Sequence, residues 1–513
     1  MDAYKYSQYI NNNQETRWAT VDEIKNSGTY IDVTKPSCPA GGLPLISNGK
    51  DVYVDEKDTH SLIFGSTGSK KTRLFCMPML NIFAKAGESF VVTDPKGELY
   101  AKTSGLAKSM GYKTIVLNFR DVGYGDAWNP LSLPYTLYHS GHEEKAVTML
   151  NDFVAALSEA ERSGGMEPFW VEMASSLALA NLLLLMECGT EKQANVGNLA
   201  VLCSGGQMPY LECLAERMTE DTIGGLNFRN VFNAPDRTRR SISTELYSMI
   251  RVFNTHKSLV KMLSSNSVDL RNIGREKTAV YLIIPDEKTT QHFLATTFIK
   301  QVYEVLIGEA QKQSNFQLPV RVNFVLDEFC NMPKIQDMPA MISAARSRNM
   351  RFYLVAQSMH QLRGKYGEDA DTIKGNCDNW VFLTSKELTL LQEISELCGS
   401  INMANNVKRN LISVSELQRL DKTRGEALIL HGRQYPFITE LADISAYTAF
   451  QGYAPVPLEK IEESETELFT ASYLLGEALD MKRPWPFHNV YMEAANIPDH
   501  VQRYVKLKQR NSV

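Results

Sequence analysis

Apolar and polar positions along this chain fall into two regimes. From residue 61 to about 130, short apolar runs alternate with segments of helical period. Leu62–Phe64, Ser89–Thr93 and Lys113–Asn118 read as strands with helices between them. This βαβαβ grammar predicts a mainly parallel central sheet with helices on its faces, an α/β fold. From about 131 to 274, long helical-period segments replace the strands: Glu143–Glu159, Pro168–Met186, Tyr210–Met218 and Arg240–Leu263. They predict an inserted all-α domain. Strand signals resume at Lys277–Ile284, Val320–Leu326, Phe352–Ala356 and Trp380–Leu383, so the sheet is expected to continue after the insertion. The flanks are polar and punctuated by Gly and Pro. The expected division is an N-terminal arm (1–55), a first α/β part (56–130), the all-α domain (131–274), a second α/β part (275–450) and an acidic tail (451–513).

Candidate chemistry sits where strands end. Ser61-Leu-Ile-Phe-Gly-Ser-Thr-Gly-Ser-Lys-Lys-Thr72 is a strand followed by a phosphate-binding loop with one departure. Backbone N–H groups of Gly65, Ser66, Thr67, Gly68, Ser69 and Lys70 would curl around phosphate, and the following helix adds its positive dipole end. Lys71 would neutralise phosphate charge and the Thr72 hydroxyl would ligate Mg²⁺. The usual Gly before that Lys is Lys70 here. Position 70 is expected to start the helix, where a side chain need not strain φ. The blander reading is a turn with a solvated Lys pair. Val322-Asn-Phe-Val-Leu-Asp327-Glu328 is an apolar strand ending in two carboxylates. Asp327 would hold Mg²⁺ and Glu328 would polarise an attacking water. Alone, the pair reads as a helix N-cap, and only its combination with the phosphate loop on a parallel sheet favours the nucleotide role. Arg346 and Arg348 end a helix and could supply a cation to a neighbouring subunit's phosphate, or merely complement the helix dipole. Gln357 ends a strand and could sense a γ-phosphate, or be an ordinary polar loop residue.

Bulk properties narrow the class. The 513 residues suffice for two or three domains, and 43% hydrophobic with 22% charged residues is ordinary for a globular protein. A net charge of −5 marks no global nucleic-acid binder, so DNA contacts must be local. Arg237-Thr-Arg239-Arg240 is the local candidate, through Arg239 and Arg240, against the plainer reading of a solvated helix face. The eight Cys are scattered without a C-x-x-C pair, which suggests buried free thiols rather than zinc. The longest apolar run, Leu177–Met186, is too short for a membrane span, and the first residues lack a signal-peptide pattern, so a cytosolic chain is expected.

These motifs together resemble the coupling proteins of conjugation and type IV secretion, the TraG/TraD-like family. The resemblance covers about residues 15 to 450. It is carried by Arg17-Trp18-Ala19-Thr20, Gly65–Thr72, Val91-Val-Thr-Asp94-Pro-Lys-Gly-Glu98-Leu, Trp128-Asn-Pro-Leu131 and Phe169-Trp170. It continues through Leu326-Asp327-Glu328-Phe, Ala345-Arg346-Ser-Arg348, Ala356-Gln357-Ser358 and Gln361-Leu362. The resemblance implies a RecA-like P-loop NTPase domain carrying the all-α domain as a substrate reader. It implies ATP and Mg²⁺ as cofactors and a hexamer at the cytoplasmic face of the membrane, with the isolated chain able to be a monomer. It implies as partners a relaxase with its single-stranded DNA, and the channel components and ATPases of a type IV secretion system. By matching position, Lys71 and Thr72 take the phosphate and Mg²⁺ roles, Asp327 and Glu328 the Walker B roles, Arg346 the trans-arginine role and Gln357 the sensor role. Asp94–Glu98, Asp327–Glu328 and Arg346 are expected around one sheet edge. The membrane helices of many members are not found here, so they are either missing from this sequence or supplied by a separate partner. The leading reading is an ATP-driven pump. Its rivals are a docking receptor with little or no hydrolysis, for which only Lys70 speaks, and a duplex DNA translocase.

Overall fold

The computed structural model describes residues 16–163, 167–216, 223–402, 408–462 and 466–479. The chain divides into two compact units. The first takes residues up to 120 together with 269–458, and the second takes 121–268 together with residues from 459 on. The divisions fall after Arg120 and Val268, where the sequence pattern suggested 130 and 274.

The first unit is built on nine strands: β4 (Ser61–Phe64), β5 (Ser89–Asp94), β6 (Lys113–Asn118), β7 (Thr278–Ile283), β8 (Val322–Leu326), β9 (Met350–Ala356), β10 (Asn379–Phe382), β13 (Glu426–His431) and β14 (Phe437–Glu440). A three-stranded sheet, β1 (Thr29–Asp32), β2 (Leu43–Ser47) and β3 (Asp51–Asp55), precedes them, and a short pair, β11 (Ser400–Asn402) and β12 (Lys408–Asn410), lies between β10 and β13. The large sheet runs β14-β13-β10-β4-β9-β8-β5-β7-β6. From β10 to β6 every pairing is parallel, whereas β13 and β14 add an antiparallel edge. Every residue of β4, β5, β7, β8 and β9 is buried, as expected where helices cover both faces of a parallel sheet.

Two expectations for the flanks are corrected. The described part of the N-terminal segment is not an extended arm. Val21–Ser27 is a helix closed by a Thr20–Glu23 capping box. β1–β3 then alternate inward Ile31, Val52 and Val54, which pack with Ile82, Leu106, Tyr447 and Phe450. Within the second unit, the described part of the C-terminal segment is also folded. The Phe469 N–H donates to Asn198 Oδ1 at 3.0 Å, and Ala471–Leu479 is a helix. Most of the acidic run Glu462–Glu465 lies outside the described residues.

The second unit is all-helical apart from one isolated bridge among its described residues. Its central helix is Pro168–Cys188, in which Leu177–Met186 is entirely buried. By length and composition alone the whole helix could cross a membrane, but Leu177–Met186 is packed inside the fold and 67% of the apolar window is buried, as in a core helix. Arg240–Leu263 is not one helix but three: Asp236–Met249, Arg251–Thr255 and Lys257–Met262. The breaks fall at Ile250 (φ −92°, ψ 2°) and His256 (φ −122°, ψ 82°), both outside helical dihedrals. The Trp128-Asn-Pro-Leu131 motif is a structural pin. Trp128 donates its N–H to the Met262 carbonyl at 2.9 Å, and the Asn129 amide donates to the Ala194 carbonyl at 2.7 Å.

A buried ion pair ties the amino ends of the first unit's strands together. Arg351 on β9 is fully buried. It donates to Asn323 Oδ1 on β8 (2.8 Å), to the Gly41 carbonyl (3.1 Å) and to the carboxylate of Glu88, which leads into β5. Asn323 donates in turn to Glu88 Oε2 at 2.9 Å. Without Arg351, the partly buried Glu88 carboxylate keeps only Arg321, at 3.8 Å, as a cation partner, and the space of a fully buried side chain is left empty. Arg351→Ala should therefore lower the stability of the first unit by about 3–5 kcal/mol, read as a lower urea midpoint.

Candidate nucleotide site

The order β4–β9–β8 sets three strand ends side by side at the carboxyl edge of the sheet, where open α/β folds bind ligands. β4 delivers Gly65–Thr72, β9 delivers Gln357 and β8 delivers Asp327 and Glu328. The loop folds tightly back on itself. The Gly65 N–H donates to the Ala356 carbonyl (3.2 Å) and the Ser66 N–H to the Thr384 carbonyl (2.9 Å). A Cβ at position 65 would lie 2.3 Å from Ser69 Oγ and 2.9 Å from Lys71 Cγ, so the turn demands Gly there. Inside the turn the Ser69 hydroxyl is buried without a hydrogen-bond partner. Lys71 is buried, and its ammonium donates to the Gly65 carbonyl.

Lys70 corrects an expectation. It does not start the helix in a relaxed conformation. It precedes the helix with φ +67°, in the left-handed region, and its carbonyl accepts the N–H groups of Arg73 and Leu74. An L side chain there costs roughly 1–2 kcal/mol, which is why Gly is the usual occupant. The Lys70 ammonium makes no ion pair or hydrogen bond with any described residue. Beyond Lys71, Thr72–Cys76 winds as a π-helical turn before the α-helix Met77–Ala86. Such wide turns are frequent at functional sites.

Opposite the loop, the Thr72 hydroxyl donates to Asp327 Oδ2 at 3.1 Å. Asp327 is buried, and the Thr93 hydroxyl donates to its carbonyl at 2.8 Å. Burial, then the neighbouring Glu328 charge, push the Asp327 carboxyl up to about 6, against the pull of Lys71 and the Thr72 hydroxyl. Glu328 is a second left-handed residue, with φ +52°. Its Oε2 accepts from Gln357 Nε2 at 2.7 Å and from Asn331 Nδ2 at 3.1 Å. The Thr67 hydroxyl donates to Gln357 Oε1 at 3.3 Å. A continuous relay thus joins the loop to the second carboxylate through Gln357.

Arg346 and Arg348 are not brought to this edge. The helix Met338–Ala345 carries the chain from the carboxyl end of β8 back to the amino end of β9, and both arginines lie there. Arg346 pairs with Asp378 at 3.1 Å, next to the start of β10, and Arg348 donates to the Ala344 carbonyl at 2.8 Å. Asp94 does lie at the carboxyl edge, but its role in the fold is structural. Its Oδ2 accepts the Tyr100 N–H at 2.8 Å, holding the start of the helix Glu98–Ser109. Sequence reasoning missed Thr93 and Asn331, although Asn331 stands three residues after Glu328. It also missed the bidentate pair of Arg73 with Asp443, 370 residues apart, which no local pattern reveals.

The residues fit a phosphate-bearing ligand with a hard cation. An orphaned hydroxyl and a buried ammonium occupy the loop, and a hydroxyl–carboxylate pair faces them. Fold and loop together define a P-loop NTPase of RecA-like architecture. The profile of the family described as "Type IV secretory system Conjugative DNA transfer" matches residues 14–425, and the chain belongs to that family. The "Conjugal transfer protein TraG" of Escherichia coli is 23% identical over 545 residues, spanning 90% of this chain and 81% of its own length. "Protein VirD4" of Rhizobium radiobacter is 22% identical over 468 residues, and the chain spans 63% of its length. Among solved structures, the plasmid coupling protein TrwB in complex with the ATP analogue ADPNP shares the fold. It has a TM-score of 0.61 and 14% identity, over 88% of this chain and 97% of that one.

The Asp327 shift has a consequence for stability. Its carboxyl holds its proton more tightly in the folded than in the unfolded chain. Without nucleotide, stability is therefore undiminished below about pH 4 and falls as pH rises from there to about 6. Asp327→Asn should remove that slope and stabilise the nucleotide-free protein at pH 7 by on the order of 2 kcal/mol, measured by chemical denaturation across pH.

Proposed function

We propose that this chain is the coupling ATPase of a conjugative or type IV secretion system. In this reading it recruits relaxase-bound single-stranded DNA, or a protein substrate, and delivers it to the transfer channel at the expense of ATP. The observation that carries the reading is the relay from Thr67 through Gln357 to Glu328, set beside the Thr72–Asp327 pair. In this reading the chain works as a hexamer at the cytoplasmic face of the membrane, with the channel's own components and ATPases as partners.

Each residue's part follows from its chemistry. Lys71 exchanges the Gly65 carbonyl for phosphate oxygen, and the Ser69 hydroxyl gains the partner it lacks. Thr72 and Asp327 would hold Mg²⁺, which when bound with ATP neutralises charge on the phosphate oxygens. Glu328 has both side-chain donors on Oε2, leaving Oε1 to take the proton from the attacking water. Gln357 touches both loop and base, so a γ-phosphate that displaces Thr67 also changes what holds Glu328. Arg346 lies at the other end of the strands, and its part is toward a neighbouring subunit's nucleotide, for which it must leave Asp378.

A second reading, a docking receptor with little or no hydrolysis, is favoured by one observation, the left-handed Lys70. DNA-stimulated ATP hydrolysis separates the two. The pump reading expects activity in the unmodified chain, no activity with Lys71→Ala and a loss of about 10²- to 10⁴-fold with Glu328→Gln. Activity no greater than Lys71→Ala, with turnover appearing only in Lys70→Gly, would establish the receptor.

A further inference from the structure

One helix of the second unit presents a face of a single charge sign. Along Asp236–Met249, Arg237, Arg240, Ser241, Thr244 and Tyr247 recur at helical spacing and are all exposed. Past the break at Ile250, Arg251 and Lys257 open the next two short helices, also exposed. From Arg237 to Lys261 the chain carries six Lys or Arg and one carboxylate, Glu245, which is buried in the helix's inner face. This is a strong local bias in a chain of net charge −5.

The four arginines divide by their partners. Arg239 is occupied, with one arm on Glu212 and the other on Asp236. This removes it from the pair, Arg239 and Arg240, that the sequence suggested for DNA. Arg237, Arg240 and Arg251 make no ion pair or side-chain hydrogen bond with any described residue. The acidic Asp236 stands at the rim of the face with its carboxylate on Arg239. Amid these cations Tyr247 leaves 50% of its surface to solvent. The Ser241 and Thr244 hydroxyls donate to the Arg237 and Arg240 carbonyls, so their oxygens keep lone pairs for an amino group. Free guanidinium groups match phosphate, and an exposed aromatic ring among them matches a base. An acidic peptide would use the cations but not the ring. From Arg237 to Arg251 the face runs roughly 20 Å, long enough for several nucleotides.

We propose that this face binds single-stranded nucleic acid, with phosphates on Arg237, Arg240 and Arg251 and a base stacked on Tyr247. The proposal rests on the reading of the chain as a DNA-transferring ATPase. The test is fluorescence anisotropy of the full chain with a labelled oligothymidine of about 20 nucleotides, longer than the usual site sizes, across a salt series. Replacing Arg237, Arg240 and Arg251 together by Ala should weaken binding at least tenfold. It should also flatten the slope of log K against log salt by about 2, since each lost cation removes about 0.7. Lys at the same three positions should keep the slope and show that the helix still folds. Tyr247→Ala should weaken binding about tenfold and leave the slope unchanged. Unmodified affinity and slope in the triple-Ala variant would overturn this face while leaving the function standing. No binding by the unmodified chain would overturn the proposal and restrict the function to its protein-substrate form. Loss of binding to anionic phospholipid vesicles without any change for the oligonucleotide would assign the face to a membrane and overturn the proposal.

Discussion

Everything proposed for this protein depends on one packing constraint: β9 is hydrogen-bonded between β4 and β8, all parallel, in a sheet buried on both faces. Because the strands point the same way, the loop after β4, the carboxylates after β8 and the amide after β9 emerge together. The Arg351–Glu88–Asn323 cluster fixes the opposite ends of β9, β8 and β5, so the carboxyl edge is framed from below by a buried charge network.

The site itself is held in a poised form. Two non-glycine residues in left-handed conformations, Lys70 and Glu328, stand on either side of it. Such strain persists only where surrounding contacts over-determine the backbone. For Glu328 those contacts are the donors Gln357 and Asn331 on one carboxylate oxygen. For Lys70 they are the two helix N–H groups on its carbonyl. Without nucleotide, Lys71 and Asp327 both satisfy themselves locally, the one on Gly65 and the other through Thr72.

The parallel core was readable in the chain because buried strands are continuous apolar runs, and Lys113–Asn118 is matched residue for residue. The phosphate loop and the Asp327–Glu328 pair were equally readable, being local in sequence. What escaped was non-local or conformational. β13 and β14 extend the sheet beyond β10, β13 pairing antiparallel with β10 and β14 with β13, contacts that no local pattern reveals. The small sheet β1–β3 hides in a stretch rich in Gly and Pro. Arg346 was expected at the nucleotide edge from the family resemblance, but the intervening helix carries the chain to the other end of the sheet. The φ of Lys70 is set by how the loop closes over Gly65, which no residue count reveals.

The central claim is that the carboxyl edge of β4, β9 and β8 is a nucleotide site despite the lysine at position 70. Calorimetric titration of the chain with a non-hydrolysable ATP analogue tests it most directly, with and without Mg²⁺. Saturable binding of one nucleotide per chain is expected, strengthened by Mg²⁺ and losing that Mg²⁺ dependence in Asp327→Asn. Absence of saturable binding, or binding indifferent to Mg²⁺ in the unmodified chain, would contradict it.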